Sequence, residues 1–262
     1  MKILFTGGGG AGNEAIWRIM NKDFSLYFAD MNINNIHPKI PKNRRIKILP
    51  AKNKNFIKHL SIVSKKYKFD YIVPGVDEEL FKLSNIKNQK KLPNLILPEN
   101  YFIKLMLNKL NCFIALKKER LNIPKTTRGD KIEKLIFPQI IKPIYGRGSF
   151  AVEKVNNYKD ITAYKKFYKI KSKKLILQKF IAGQEYTVFV YSNKKTGLIK
   201  IIPIKIINKK GITIEGITQK NKKIINFVKQ FDKIFTPNGP YNIQCVQKSN
   251  GDIYPFEINP RI

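Results

Sequence analysis

Cysteine is scarce in this chain. Only Cys112 and Cys245 occur among its 262 residues, too few for a disulfide framework or a cysteine-bound metal cluster. We therefore expect both to be ordinary reduced residues. The sequence also lacks an apolar run long enough to cross a membrane, and no apolar signal-peptide core follows Met1. These absences predict a cytoplasmic protein with no membrane partner.

Acidic residues are few as well. The chain has 18 Asp and Glu against 51 Lys and Arg, which gives a formal net charge of +33. Such an excess can indicate a nucleic-acid-binding protein. Here the charge is nearly all lysine, is spread along the chain and accompanies many Asn and Ile residues, as an AT-rich coding sequence would produce. We therefore favour a lysine-covered enzyme surface that attracts polyanions loosely at low salt, and we do not expect nucleic acid as a partner.

Strands and helices alternate in the first hundred residues. Apolar runs at 2–6, 25–30, 46–49, 71–73 and 95–97 predict strands, and helical spacing begins at Asn13 and at Phe56. This alternation predicts an α/β domain with a Rossmann-like, doubly wound parallel sheet. We place its end near residue 98, so that the expected domains are 1–98 and 99–262.

The second half has a different pattern. We expect helices over 101–121, 158–168 and 220–235. The expected strands are 139–143, 151–155, 175–180, 185–191, 199–206, 212–217 and a final hairpin. Consecutive short strands with turn residues between them predict an α+β domain with antiparallel sheets.

The final hairpin has the most informative polar pattern. Asn250-Gly251 predicts a type I′ turn, which would pair Gln244 with Glu257 and Asn242 with Asn259. Because side chains alternate between the faces of a strand, Gln244, Glu257, Asn259 and Arg261 would share one face. The apolar residues Ile243, Cys245, Phe256 and Ile258 would occupy the other. A carboxylate and amides on a rigid hairpin suit Mg²⁺, and a plain solvent-facing surface is the alternative.

A glycine-rich turn follows the first strand. Gly7, Gly9 and Gly12 match G-x-G-x-x-G, and Asp30 ends the second strand, as in the dinucleotide-binding fingerprint. The alternative is a glycine turn that binds no dinucleotide, and we favour it because the rest of the chain indicates another chemistry.

Two further segments carry candidate nucleotide contacts. Lys142 lies within a strand that leads into Gly146, Gly148 and Ser149, whose backbone N–H groups could surround phosphate oxygens while Lys142 adds a charge. Backbone groups at 179–181 could bind an adenine edge, and Glu185 could hold ribose hydroxyls. A hairpin with a surface lysine and a plain β-turn are the respective alternatives.

Three acids follow the strand at 71–73. Asp77, Glu78 and Glu79 lie at the carboxyl end of the predicted parallel sheet, the usual ligand edge of such sheets. They could bind a substrate amine. The alternative, which we favour, is that they complement the dipole at a helix N-terminus.

In their order and spacing, these segments resemble the ATP-grasp superfamily over essentially the whole chain. The resemblance is strongest to carbamoyl-phosphate-synthase-like members with an N-terminal pre-ATP-grasp domain of Rossmann-like fold. It implies Mg²⁺ (or Mn²⁺) ligands at Gln244, Glu257 and Asn259, and catalytic roles for Arg261 and Lys142. It implies nucleotide contacts at Lys109, Lys142, Gly146, Gly148, Ser149, Gln178, Lys179, Phe180, Ile181, Glu185, Gly211, Ile212 and Thr213.

The resemblance also implies a reaction. A carboxylate would attack the γ-phosphorus of ATP, and an amine or ammonia would displace phosphate from the acyl phosphate. Small carboxylate and amine substrates are the expected partners. The family usually continues beyond the position of Arg261, so we expect a C-terminally truncated domain, or a site completed by a homo-oligomer or another chain.

Two other functions remain open at this point. One is an NAD(P)-dependent oxidoreductase that uses Gly7, Gly9, Gly12 and Asp30. The other is a degenerate nucleotide-binding or nucleic-acid-associated protein without catalysis. His37 and His59 lie outside every motif, which is consistent with phosphoryl transfer that needs positioning and charge rather than a histidine base.

Overall fold

The computed structural model describes residues 1–86 and 92–261. They form two compact units, one within 1–103 that also includes Arg261, and a second over 104–260. The expected end of the first domain near residue 98 stays a prediction, and Ile262, the last residue of the expected second domain, lies outside the described range. None of the described helices is long and apolar enough to span a bilayer.

The first unit contains a five-stranded parallel sheet with strand order β3-β2-β1-β4-β5. Its elements in chain order are β1 (Lys2–Thr6), α1 (Asn13–Met20), β2 (Ser25–Asp30), β3 (Arg45–Lys47), α2 (Phe56–Tyr67), β4 (Tyr71–Val73), α3 (Asp77–Ser84) and β5 (Asn94–Leu95). The core on one side packs Phe5 against Phe28, with Leu26, Ile36 and Ile40 buried around them. The predicted parallel α/β fold is confirmed.

The second unit is built from two antiparallel sheets. Its elements are α4 (Asn100–Leu107, which begins in the first unit), α5 (Lys109–Lys118), β6 (Thr126–Arg128), β7 (Gln139–Pro143), β8 (Glu153–Val155), α6 (Tyr158–Tyr168), β9 (Leu175–Lys179), β10 (Gln184–Asn193), β11 (Leu198–Lys210), β12 (Ile212–Thr218), α7 (Lys222–Phe235), β13 (Pro240–Gln247) and β14 (Ile253–Asn259). The small sheet has the order β6-β9-β7-β8, and the large sheet has the order β12-β11-β10-β13-β14. The predicted α+β class is confirmed.

Each antiparallel sheet buries one face under a helix. Tyr164 of α6 lies in a buried cluster with Ile141 and Leu177 of the small sheet. In α7, the Phe231 ring lies 5.7 Å from the ring of Tyr241 on the large sheet at an angle of 38°, and the Tyr241 hydroxyl donates to Asp232 at 2.9 Å. The opposite faces are therefore available to line a site.

The prediction of one helix over 101–121 is wrong, because the structure has two helices there, separated at Asn108. The Asn108 side chain accepts a hydrogen bond from the N–H of Asn111 at 3.0 Å and so caps α5. Asparagine is a preferred N-cap residue because its short side chain accepts a hydrogen bond from an otherwise unpaired helical N–H group. The break makes Lys109 the first residue of α5.

The turn between β9 and β10 gives a test of the packing of the large sheet. Gly183 has φ +155°, and a Cβ placed there would lie 2.7 Å from Val246 Cγ1 and closer still to the Gln247 carbonyl. We expect Gly183→Ala to lower the free energy of unfolding by at least about 2 kcal/mol. The measurement is denaturant unfolding.

Gly197→Ala is the matched control for this prediction. Gly197 also has a positive φ, +65°, but no heavy atom of the described residues beyond its chain neighbours lies within 4 Å of a Cβ placed there. Only backbone strain of about 1 kcal/mol is therefore expected. Equal losses in the two variants would contradict the close packing at Gly183.

Candidate active site

A cavity in the second unit is lined by both antiparallel sheets. Its charged lining is mostly basic, with two carboxylates opposite the cations: Lys109, Lys142, Arg147, Lys179, Lys209, Glu185 and Glu257. Apolar side chains, among them Phe180, Ile181 and Phe256, line the rest. A deep cleft with an apolar wall and converging cations can hold a ligand that joins a ring to an anion.

Lys142 lines this cavity and is 4% exposed. Its ammonium donates to Gln178 Oε1 at 3.0 Å and to the Phe256 carbonyl at 2.8 Å. Burial lowers the pKa of Lys142 to about 8, an effect that the nearby Glu257 carboxylate partly offsets. A lysine held by neutral acceptors keeps most of its charge for an incoming anion.

Lys109 reaches the cavity from the start of α5. Its ammonium donates to the Gly146 carbonyl at 2.7 Å and lies 3.3 Å from Glu257 Oε1. The Lys109 side chain is 12% exposed and that of Glu257 is 24% exposed. Lys109, Lys142 and Glu257 thus come together, as the resemblance implied.

The hairpin of β13 and β14 has the register that the sequence predicts at the cavity. Gln244 pairs with Glu257, and Asn242 pairs with Asn259. The predicted type I′ turn is wrong, however. Lys248 N–H donates to the Asp252 carbonyl at 3.0 Å, and the enclosed three-residue loop ends at Gly251 with φ +90°. Such a loop ends with a residue in a left-handed conformation, which glycine adopts easily.

A β-bulge restores the register. Cys245 pairs with Pro255 while Gln244 pairs with Glu257, so Phe256 is an extra residue in β14. A bulge places two adjacent side chains against one partner. Phe256 therefore lines the cavity together with Glu257, and its predicted place on the apolar face with Ile243 and Ile258 is wrong.

The donor set on this hairpin fits a magnesium ion. Gln244 and Glu257 both line the cavity, whereas Asn259 lies outside that lining and its amide donates to Asn242 Oδ1 at 3.1 Å. Within residues 1–86 and 92–261, no three His, Cys, Asp or Glu side chains cluster as a metal site. One carboxylate with neutral oxygens suits Mg²⁺, which usually completes its shell with water and substrate phosphates.

The glycine loop after β7 lies against the loop after β11. Gly148 and Ser149 have φ near +60°, and the Ser149 hydroxyl donates to the Gly211 carbonyl at 2.5 Å. The strand expected over 151–155 begins only at Glu153, because the left-handed residues Ser149 and Ala151 interrupt extended structure. Thr213 and Ile212 belong to β12, where Thr213 pairs with Lys209.

Gln178 has a different environment from the one expected of an adenine contact. It is 2% exposed, its amide donates to Thr126 Oγ1 at 3.1 Å, and its oxygen accepts from Lys142. It therefore positions the lysine. In the segment that follows, the N–H groups of Lys179 and Phe180 donate to Lys125 and Pro138 carbonyls, while the side chains of Phe180 and Ile181 line the cavity.

Glu185 lies on the cavity wall in β10, and its carboxylate accepts a hydrogen bond from Lys209 at 2.8 Å. The Lys209 ammonium also lies 5.2 Å from the centre of the Phe256 ring. Lys209 is a cavity residue that the sequence analysis missed. Simple alternation along β11 gave no signal for it, because a register irregularity precedes it.

Arg261 is not on the hairpin face where we expected it. β14 ends at Asn259, before Pro260, and Arg261 groups with the first unit. There its guanidinium donates to Asp77 Oδ1 at 2.8 Å. The catalytic role implied for Arg261 stays a prediction.

The glycine turn of the first unit uses its own N–H groups. Gly8 donates to the Ala29 carbonyl at 2.8 Å, Gly9 to Asp30 Oδ2 at 3.0 Å, and Gly10 to the Gly7 carbonyl at 2.9 Å. A dinucleotide fingerprint needs the glycine N–H groups for pyrophosphate and the acid for ribose. The structure thus supports the alternative of a glycine turn that binds no dinucleotide.

The three acids after β4 begin α3. Asp77 accepts from Arg261, and buried Glu79 accepts from the Thr6 hydroxyl. Asp77, Glu78 and Glu79 all lie in the first turn of the helix, where negative charge is favourable.

Two antiparallel sheets enclose a lysine-lined pocket, and a parallel sheet precedes them in the chain. This combination of fold and cavity is typical of nucleotide-dependent ligases. The chain belongs to the ATP-grasp family, whose ATP-grasp domain matches residues 106–262. The resemblance inferred from the sequence is confirmed.

Known proteins support this membership. The carbamoyl phosphate synthase large chain of Caldanaerobacter subterraneus subsp. tengcongensis is 28% identical over 165 residues, which are 56% of this chain and 15% of that protein. The chain thus spans a small part of that relative's length.

Two solved structures share the fold. An L-amino acid ligase from Bacillus licheniformis superposes with a TM-score of 0.73 at 17% identity, covering 100% of this chain and 67% of that one. The biotin carboxylase domain of Hydrogenobacter thermophilus 2-oxoglutarate carboxylase, in complex with MgADP, gives 0.72 at 13% identity, with coverages of 100% and 64%. At these identities the two structures show a shared fold, and MgADP is bound to the second of them.

The buried ammonium of Lys142 predicts a pH-dependent contribution to stability. Its pKa is about 8 in the folded chain, whereas the ordinary value of 10.5 applies to the unfolded chain. Between these values the unfolded chain binds a proton that the folded chain does not, so the free energy of unfolding rises with pH. Below about pH 8 both states are protonated, and the full cost of the buried charge is present.

The Lys142→Met variant isolates this effect. We expect the difference in unfolding free energy, wild type minus variant, to be flat from pH 6 to 7 and to rise in favour of wild type from about pH 8 to 10.5. Loss of the Gln178 contact shifts the whole curve but does not change its slope. A difference that stays constant across this range would contradict a lowered pKa at Lys142.

Proposed function

We propose that this chain is an ATP- and Mg²⁺-dependent ligase that activates a carboxylate as an acyl phosphate for attack by an amine or ammonia, in the manner of carbamoyl-phosphate-synthase-like enzymes. The observation that carries the proposal is the meeting of two cations and one carboxylate, Lys142, Lys109 and Glu257, in one cavity between two sheets. The domain roles we propose are a pre-ATP-grasp domain over 1–98 and an ATP-grasp domain over 99–262. The compartment we propose is the cytoplasm.

The residues divide into three groups by chemistry. Lys109, Lys142 and the backbone of 146–149 would bind the phosphates, and Glu257, Gln244 and Asn259 would hold Mg²⁺. Phe180, Ile181 and Phe256 provide an apolar lining for a base. When bound, Mg²⁺ supplies charge neutralisation for the phosphate oxygens.

The proposed reaction has two steps, and it needs no covalent bond to the protein. A carboxylate oxygen forms a bond to the γ-phosphorus while the bond to the ADP oxygen breaks, and Lys142 stabilises the charge that moves onto ADP. The amine then attacks the acyl carbon, phosphate leaves, and the amine proton passes to solvent. The protein contributes position and positive charge, which dominate catalysis of phosphoryl transfer.

The oxidoreductase alternative loses its support, because the glycine N–H groups and Asp30 bond to each other and to Ala29.

An experiment distinguishes the proposed ligase from a nucleotide-binding protein without catalysis. Calorimetric titration of ATP with and without Mg²⁺ should give Mg²⁺-dependent binding at micromolar level. Release of ADP and phosphate should then appear only with a suitable carboxylate and amine pair, and binding without turnover for any pair would favour the non-catalytic alternative.

The Glu257→Gln variant tests the metal assignment. Since Glu257 is a cavity carboxylate beside both Lys109 and Lys142, we expect the variant to lose the Mg²⁺-dependent gain in ATP affinity, by about tenfold or more. Without Mg²⁺ the variant should bind ATP at least as tightly as wild type, because one negative charge beside the phosphates is gone.

Glu215→Gln is the matched control for this prediction. Glu215 is an exposed carboxylate on β12 outside the cavity lining, so its loss changes the net charge equally. If Mg²⁺ strengthened ATP binding equally in both variants, Glu257 would not be a metal ligand.

A further inference from the structure

The start of α5 is joined to the root of the glycine loop after β7 by three hydrogen bonds. Lys109 makes two of them: its N–H donates to the Ile144 carbonyl at 3.0 Å, and its ammonium donates to the Gly146 carbonyl at 2.7 Å. In the third, the Asn108 amide donates to the Tyr145 hydroxyl at 2.8 Å. Two consecutive residues of one segment thus hold three consecutive residues of another that is distant in the chain.

The Asn108 side chain is fixed by contacts on both of its ends. Its Oδ1 accepts the N–H of Asn111 at 3.0 Å, which caps α5. An amide side chain has its acceptor on one atom and its two donors on the other, so the nitrogen is directed away from the helix and donates to Tyr145. One side chain therefore sets both the first turn of α5 and the loop root.

Burial gives little reason for a fixed position of Tyr145. The residue is 65% exposed, so its ring gains little from leaving water, and holding it in one rotamer has an entropic cost. Its hydroxyl is nevertheless bonded to Asn108, and the two residues that follow it, Gly146 and Arg147, line the cavity. The bond therefore acts where the loop enters the site.

The direction of the Lys109 ammonium depends on this loop root. An ammonium has three N–H donors. Two of those of Lys109 are directed to the Gly146 carbonyl and to the Glu257 carboxylate, at 2.7 and 3.3 Å, and the third can meet an anion in the cavity. A displacement of the Gly146 carbonyl would turn the ammonium away from its present direction.

We propose that Asn108 and Tyr145 are positioning residues for Lys109, and that their hydrogen bond holds the loop root so that the Gly146 carbonyl aims the ammonium at the phosphates of the nucleotide. This inference rests on the proposed function, since it concerns the same nucleotide. Neither Asn108 nor Tyr145 needs to touch the nucleotide. They act by fixing the geometry of Lys109 before binding, which reduces the ordering that binding has to supply.

The alternative is a contact that only stabilises the fold. The hydrogen bond joins two side chains at the surface, and a bond of this kind contributes modestly to stability. Its loss would then lower the free energy of unfolding and leave the nucleotide affinity unchanged.

Tyr145→Phe and Asn108→Ser remove the hydrogen bond from either side. Serine keeps the N-cap of α5, but its side chain is too short to reach the Tyr145 hydroxyl. In calorimetric titration of ATP with Mg²⁺, we expect each variant to bind about fivefold more weakly than wild type. The double variant should bind no more weakly than either single variant, because both changes break the same bond.

A third variant, Lys109→Met, shows whether the bond acts through the lysine. Lys142 remains in the cavity, so ATP binding by Lys109→Met should be weaker than that of wild type and still measurable. Adding Tyr145→Phe to this variant should change the affinity by less than about twofold. A further fivefold loss would mean that Tyr145 acts on the nucleotide independently of Lys109, and it would overturn the proposal.

Tyr191→Phe is the matched control, because it removes a hydroxyl from an exposed tyrosine of β10 outside the cavity lining. It should bind ATP as wild type does. Wild-type affinity in Tyr145→Phe or in Asn108→Ser would overturn the proposal and leave the proposed function intact. Failure of the wild type to bind ATP would overturn both, so the two failures are distinguishable.

Discussion

The buried ammonium of Lys142 is the constraint on which the second unit depends. A charge in an apolar interior needs hydrogen-bond partners, and Lys142 finds one on each antiparallel sheet: Gln178 in the small sheet and the Phe256 carbonyl in the large sheet. The ammonium therefore connects the two sheets at the cavity. The same burial would strengthen the attraction of the ammonium for an anion in the cavity, because electrostatic interactions are stronger where water is excluded.

Irregular strand pairing decides which side chains face the cavity. The extra residue Phe256 in β14 allows Phe256 and Glu257 to line it together, and the shift after Ile206 in β11 brings in Lys209. Bulges are common next to functional sites because they redirect a side chain without breaking the sheet. In this protein they place an aromatic ring, a carboxylate and an ammonium on one wall.

Much of the fold follows from local patterns. The helix over Tyr158–Tyr168 has the expected bounds, and the helix Phe56–Tyr67 begins at the expected residue, because apolar spacing and flanking turn residues act within one segment. The parallel and antiparallel sheets likewise follow from the order of the elements. The helix expected over 101–121 failed because a single capping side chain, Asn108, outweighed the periodicity on either side of it.

The final hairpin separates what the sequence by itself determined from what only the tertiary structure decided. The turn assumed at Asn250-Gly251 gave the observed pairs, Gln244 with Glu257 and Asn242 with Asn259, although the turn itself is longer. The sequence could not show that a longer turn and a bulge offset each other, because a bulge forms where packing against other strands favours it. In the same way, sequence order identified Lys109, Lys142 and Glu185 as candidates, but their partners Glu257, Gln178 and Lys209 are distant in the chain. Only the folded sheets bring such residues within hydrogen-bonding distance, since side-chain contacts depend on register and not on spacing alone.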